Sequence, residues 1–72
     1  MFTLQQLKYV LEIADRGSIS EASRRLFITQ PAISNSIREL EDMLGITIFT
    51  RTPKGIIPTG EGTEFLTQAR QL

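Results

Sequence analysis

The fold of this chain is decided by residues 18–44, SISEASRRLFITQPAISNSIRELEDML. Ser18 followed three residues later by Glu21 is a capping-box pattern, which predicts a helix running to about Phe27. Thr29 is a good N-cap, and Pro31 is tolerated in a first helical turn, so a second helix begins after a break of two or three residues. Two helices with so tight a break predict a helix–turn–helix over about residues 18–37.

The second helix has one apolar face, with spacings of four, three and four: Ile33, Ile37, Leu40 and Leu44. Burying that face leaves small polar side chains and one arginine outside, where Lys and Glu are usual. The outward positions are Gln30, Pro31, Ala32, Ser34, Asn35, Arg38 and Asp42. Such a surface suits the DNA major groove, where Gln or Asn pairs with adenine, Arg with guanine and an alanine methyl packs on thymine.

An ordinary structural explanation exists for several of these residues. Thr29 and Pro31 start helices in any protein, and Asn35 and Arg38 could simply be solvated. Arg24 and Arg25 are interpreted as surface charge. The combination of a tight break, a polar helix tip and acidic residues at the other end of the helix favours DNA binding. Because Glu39, Glu41 and Asp42 lie at that other end, the helix should enter the groove by its N-terminus.

The first helix is predicted to begin near Leu4, from a Thr3–Gln6 capping box, and to end at Arg16 before Gly17. Its expected core stripe is Leu4, Leu7, Leu11 and Ala14. A second apolar stripe, formed by Phe2, Tyr9 and Ile13, falls on the opposite side at about 100° per residue. This helix should therefore be covered twice, by its own domain and by something else.

After Gly45 the apolar period becomes alternating, which predicts a β-hairpin or wing. Residues 46–51 and 56–57 are the expected strands, and Thr52-Pro53-Lys54-Gly55 suits a type I turn. Arg51, at a strand end, could enter the minor groove or pair with a phosphate, whereas Lys54 is a turn residue able to touch the DNA backbone. Thr59 and Glu61 then predict a last helix through Leu72, whose missing C-terminal cap suggests that it continues in a longer chain.

Composition limits the function classes. The 72 residues suit one small domain, with eight basic and eight acidic side chains and a formal net charge of zero, so bulk electrostatics gives no argument for DNA. The chain has no His and no Cys, which excludes Cys–His and Ser–His nucleophiles and leaves only carboxylates for zinc. We therefore expect no enzyme, cofactor or metal, no membrane span or signal peptide, and a reducing cytoplasm as the setting.

A set of motifs along almost the whole chain resembles the N-terminal domain of LysR-type bacterial transcriptional regulators. They are LQQL at 4–7, GSISEASRRL at 17–26, TQPAIS at 29–34, IRELE at 37–41, LG at 44–45, IF at 48–49, Arg51 and TGEG at 59–62. The resemblance implies a mainly α fold: a winged helix–turn–helix with a three-helix core and a small hairpin over residues 1–58. Residues 59–72 would be the start of a linker helix.

The resemblance also implies roles and partners. It assigns Gln30, Pro31, Ala32 and Ser34 to base reading, Ser20, Thr29 and Arg38 mainly to the DNA backbone, and Arg51 to the wing. The partner is double-stranded DNA, bound by a homodimer, with a tetramer possible in a full-length protein. A small-molecule effector would bind only to a C-terminal domain absent from these residues.

In that family the linker helix pairs two subunits, which would explain the second stripe of the first helix. We expect Phe2, Tyr9 and Ile13 to pack on a linker-helix face, within or between subunits. That face comprises Phe65, Leu66, Ala69 and Leu72.

Two positions depart from the family pattern. Asn35 stands where the family very often has Arg, so this position reads either adenine or nothing. Phe27 stands where the family has His, a change that we expect to affect packing alone.

Two rival functions remain. A helix–turn–helix can serve as a protein-interaction module, which the neutral charge favours and the polar helix tip disfavours. Acid–base catalysis by carboxylates is the more distant alternative.

Overall fold

Three helices, a hairpin and a fourth helix succeed one another along residues 3–71, the part of the chain that the computed structural model describes. The elements are α1 (Leu4–Arg16), α2 (Ile19–Leu26), α3 (Gln30–Leu44), β1 (Phe49–Thr52), β2 (Gly55–Pro58) and α4 (Gly60–Ala69). This mainly helical architecture confirms the predicted winged helix–turn–helix. The predicted contacts of Phe2 and Leu72 lie outside the described residues.

Helix α1 has the predicted ends but a different buried face. Thr3 and Gln6 form both halves of the capping box, and Gly17 ends the helix at φ 66°. The expectation that Leu4 faces the core is wrong, because 78% of its surface is exposed. Val10 is fully buried and marks the centre of the core face; Leu4, six residues away, lies about 120° around the helix. The two predicted stripes are therefore the two flanks of one broad face.

Helices α2 and α3 follow the predicted pattern closely. Ser18 caps α2 by accepting from the Glu21 amide at 3.1 Å, while the Glu21 carboxylate pairs with Arg24 instead of completing a capping box. Phe27 ends α2 in the left-handed conformation at φ 58°. Its side chain is 94% exposed, so the expectation that this position affects packing is wrong. A left-handed C-cap turns the side chain away from the helix it ends.

The wing (residues 49–58) is an antiparallel hairpin with Phe49 opposite Pro58 and Thr52 opposite Gly55. The prediction that its first strand begins at Ile46 is wrong by three residues. Residues 46–48 are held by α3 instead: the Ile46 amide donates to the Glu41 carbonyl at 3.3 Å, and the Ile48 amide to the Glu41 carboxylate at 2.7 Å. Strand β2 is joined to the loop before α2, because the Ile56 amide donates to the Gly17 carbonyl at 3.2 Å.

Helix α4 follows the wing and completes the core. Thr59 caps it by accepting from the Gly62 amide at 2.9 Å, and the Thr59 amide donates to the Ile48 carbonyl at 2.9 Å. Helix α4 ends at Ala69, earlier than the predicted Leu72, and Arg70 pairs with Asp15 at the end of α1. No helix within residues 3–71 has the length and apolar character needed to cross a membrane.

The core joins both flanks of α1 to α4. Ile13 is fully buried and belongs to one cluster with Leu66, against which Tyr9 and Phe65 are partly buried. The packing of α1 on α4 therefore occurs within the chain. Because Ile13 is enclosed, it offers no surface to a second subunit.

Candidate nucleic-acid interface

The first turns of α3, residues 30–35, form an exposed polar end that we call the α3 tip. The Thr29 hydroxyl accepts from the Ala32 amide at 3.2 Å, and Pro31 stands at the second helical position. Burial of Ile33 and Ile37 directs the opposite side of the helix outward. The outward positions are exposed, apart from a half-buried Ser34: Gln30, Pro31, Ala32, Asn35, Arg38 and Asp42.

The fold brings predicted site residues from three elements around one depression of about 280 Å³. Ser20 comes from α2, Gln30 and Ser34 from α3, and Arg51 from the wing. The sequence separates Ser20 from Arg51 by about thirty residues, and the Ile56–Gly17 hydrogen bond joins the wing to the loop before α2 beside this depression. The depression therefore places hydroxyl, amide and guanidinium groups together on the exposed side of the helix–turn–helix.

A second depression of about 160 Å³ continues this surface along α3. Ser34 and Arg51 line both depressions, and the second adds Arg38 and Glu41. Lys54 stands in the exposed turn at the end of the wing. Positive charge therefore lies on the wing and along the middle of α3.

The polar groups of this surface are free to accept a partner. Within the described part of the chain, the side chains of Gln30, Asn35, Arg38 and Arg51 have no hydrogen-bond or ion-pair partner. The three ion pairs of residues 3–71 instead use Arg16, Arg24 and Arg70. The interpretation of Arg24 as surface charge fits its pairing with Glu21 on its own helix.

Glu41 has a role that the sequence analysis missed. The sequence predicts it only as one of three acidic residues at the end of the helix away from the groove, but its carboxylate accepts from the amides of Ile48 at 2.7 Å and Phe49 at 3.3 Å. A signal existed: a carboxylate in the last turn of a helix is disfavoured by the helix dipole unless something else binds it. Its partners lie seven and eight residues away, beyond any local sequence rule.

No group of acidic side chains in residues 3–71 is arranged to hold a metal ion. The surface around the α3 tip also lacks the enclosed cavity that a small substrate needs.

Comparison with known proteins identifies the family. Residues 4–63 match the family described as bacterial regulatory helix-turn-helix proteins of the lysR family. The transcriptional regulator ClcR of Pseudomonas putida is 46% identical over 68 residues, which cover 94% of this chain and 23% of ClcR. The transcriptional activator AmpR of Rhodobacter capsulatus is 48% identical over 54 residues, 74% of this chain and 19% of AmpR. The chain thus spans about a quarter or less of these relatives.

Solved structures agree with this grouping. The CbnR DNA-binding domain in complex with DNA superposes with a TM-score of 0.91 at 36% identity, covering 97% of this chain and 80% of that one. The BenM DNA-binding domain bound to benA site 1 DNA superposes with a TM-score of 0.91 at 31% identity, covering 97% of this chain and 79% of that one. These relatives are transcriptional regulators, a class without enzymatic activity. The chain belongs to the LysR family of bacterial regulatory helix-turn-helix proteins and forms a DNA-binding domain with the winged helix–turn–helix fold.

Proposed function

We propose that the α3 tip enters the major groove of double-stranded DNA and reads base edges, while the wing contacts the backbone or the minor groove. The observation that carries this proposal is the convergence of Gln30, Ser34 and Arg51 around one exposed depression, with the Gln30 and Arg51 side chains unpaired in residues 3–71. Because both side chains are exposed and unpaired within this part of the chain, they can exchange water for hydrogen bonds to base edges and phosphates without breaking a contact within the fold.

Each side chain has a role that its chemistry and position suit. Gln30 and Asn35 can pair with adenine, Ser34 can bond to a base edge, and Pro31 and Ala32 offer apolar contact to a thymine methyl. Ser20, Thr29 and Arg38 lie on the flanks of the tip, where phosphates run. Arg51 and Lys54 give the wing two positive charges. The DNA complexes of the CbnR and BenM domains support this arrangement.

The charge distribution orients the domain on DNA although the net charge is zero. Exposed acidic side chains lie toward the C-terminal half of α3 and on α4: Glu39, Asp42, Glu61 and Glu64. The cations Arg38, Arg51 and Lys54, which form no ion pair within residues 3–71, lie on mid-α3 and on the wing. A duplex attracts the cationic side and repels the acidic side, so the α3 tip approaches the groove first.

The assembly proposal concerns the chain in its longer context. Residues 59–72 are proposed as the first part of a linker helix that pairs two subunits, each placing one recognition helix in a half-site. Half-sites should then lie about one helical turn apart or a multiple of it. Tyr9, only partly buried against the core, is a flanking aromatic group that a second subunit can contact. The setting proposed for this regulator is the cytoplasm.

The test is a titration of Gln30→Ala on a selected site and on random DNA, at two salt concentrations. We expect a loss of about 1–3 kcal/mol on the selected site and relaxed preference at one base pair, with little change on random DNA. Gln68→Ala, an exposed glutamine of α4, is the matched control and should change neither. Equal losses of affinity on the selected site and on random DNA contradict base reading. A wild-type affinity for DNA that does not change with salt concentration favours the protein-interaction alternative.

A further inference from the structure

The segment between α3 and the wing is bound by side chains on two sides: Glu41 of α3 binds its amides, and the Thr59 hydroxyl donates to the carbonyls of Thr47 and Ile48. The Glu41 carboxylate accepts from the amides of Ile48 and Phe49, at 2.7 and 3.3 Å. The Glu41 carbonyl also accepts from the amides of Gly45 and Ile46, at 2.8 and 3.3 Å. One residue of α3 thus binds four backbone donors within residues 45–49, the segment that leads into β1, an arrangement that we call the clamp.

The placement of this carboxylate is costly by itself. The last turn of α3 contains no basic side chain, so the helix dipole acts on Glu41 without a nearby counter-charge on the same turn. The side chain is also half-buried, which removes part of its hydration. Two charge-assisted hydrogen bonds to backbone amides offset these costs. Neighbouring Asp42 is exposed and makes no such contact, so the clamp is specific to Glu41.

The clamp lies where it can set the position of the wing. Phe49 begins β1, and Arg51 is two residues further along the same strand. Glu41, Arg38 and Arg51 line one depression between α3 and the wing. Within residues 3–71, the other hydrogen bond that attaches the wing runs from the Ile56 amide to the Gly17 carbonyl and joins β2 to the loop before α2. Among these residues Glu41 therefore gives the side-chain hydrogen bond between the recognition helix itself and the wing.

We propose that Glu41 is a positioning residue that holds Arg51 at the separation from the α3 tip at which both contact the same DNA. This inference rests on the proposed function of the α3 tip and the wing. Glu41 itself makes no contact with DNA. Its removal leaves the α3 tip intact and deprives Arg51 of a fixed position, so the contribution of Arg51 to affinity is lost.

The test is a double-mutant cycle on the selected DNA site. In the wild-type background we expect Arg51→Ala to lower affinity about tenfold, as for a charge-assisted hydrogen bond. In the Glu41→Ala background the same change should lower affinity by less than about twofold. Gln30→Ala should cost the same factor in both backgrounds, because the α3 tip does not depend on the clamp.

Three control variants separate position from charge and folding. Glu41→Gln keeps an acceptor oxygen, and Asp42→Ala removes a neighbouring exposed acid; in both, Arg51→Ala should retain its tenfold cost. If Glu41→Ala does not fold, Glu41→Asp replaces it, because the shorter carboxylate keeps the charge but not the reach.

The outcomes are distinct. Equal losses of affinity from Arg51→Ala in the wild-type and Glu41→Ala backgrounds overturn this inference alone. If Arg51→Ala does not lower DNA affinity in the wild-type background, the proposed contact of the wing with DNA is wrong. The inference is then overturned as well. If Glu41→Ala lowers the contribution of Gln30 to DNA affinity as much as that of Arg51, Glu41 is a general stabiliser of the fold. That result also overturns the inference.

Discussion

Gly62 is the position at which one added methyl group should disturb the attachment of α4 to Ile48, the residue before the wing. A Cβ atom there would lie 2.8 Å from the carbonyl carbon of Ile48 and 3.0 Å from its Cα, and nearer still to its oxygen. Ordinary carbon contacts are about 3.5–4.0 Å. The first turn of α4 must therefore move away, which breaks the 2.9 Å hydrogen bond from the Thr59 amide to the Ile48 carbonyl.

The size of the effect follows from opposing contributions. Overpacking costs about 1–3 kcal/mol and the lost hydrogen bond about 1 kcal/mol, while replacing glycine by alanine in a helix returns about 1 kcal/mol. We expect Gly62→Ala to lower the free energy of unfolding by about 1–3 kcal/mol. For a domain of this size each kcal/mol corresponds to roughly 4–8 °C in Tm.

The assay is urea denaturation followed by circular dichroism, with Gly60→Ala as the matched control. Both glycines lie in the first turn of α4, but a Cβ atom at Gly60 meets no atom within 4 Å. Gly60→Ala should leave stability unchanged or raise it by up to about 1 kcal/mol. Equal stability of the two variants would refute the close approach of α4 to Ile48.

Three further predictions concern the helix–turn–helix and the wing. Thr29→Ala removes the cap of α3 and should lower the free energy of unfolding by about 0.5–2 kcal/mol in urea denaturation; no loss contradicts the capping contact. Arg51→Ala should weaken binding to selected and random DNA alike and reduce the slope of log affinity against log salt by about 1 in gel-shift titrations, whereas an unchanged slope argues against a phosphate contact. Leu40→Ala empties a fully buried site and should cost about 2–5 kcal/mol in the same denaturation assay, so wild-type stability would contradict its place in the core.

Local signals in the sequence predicted the elements well. Capping residues and helix-ending glycines mark the ends of α1 and α3, because these interactions join residues only three or four positions apart. The apolar period likewise predicted the buried face of α3. It is misleading at Leu4, because the predicted stripe of Leu4, Leu7, Leu11 and Ala14 does not contain Val10, the centre of the buried face.

Contacts between distant residues could not be predicted in this way. The clamp of Glu41 on Ile48 and the close approach of Gly62 to the same residue depend on how α3, the wing and α4 meet. The start of the wing was misplaced for the same reason, since an alternating pattern does not reveal that α3 binds residues 46–48. The candidate site was predictable residue by residue, but not the depression that joins Ser20, Gln30 and Arg51.

The most direct test of base reading by the α3 tip uses DNA in which single purines of the selected site are replaced by their 7-deaza analogues. These analogues lack the N7 acceptor of the major groove and leave the phosphates unchanged. We expect one or two substitutions to lower wild-type affinity tenfold or more, and the position read by Gln30 to become insensitive in Gln30→Ala. Wild-type affinity that is unchanged at every purine of the site would contradict the account.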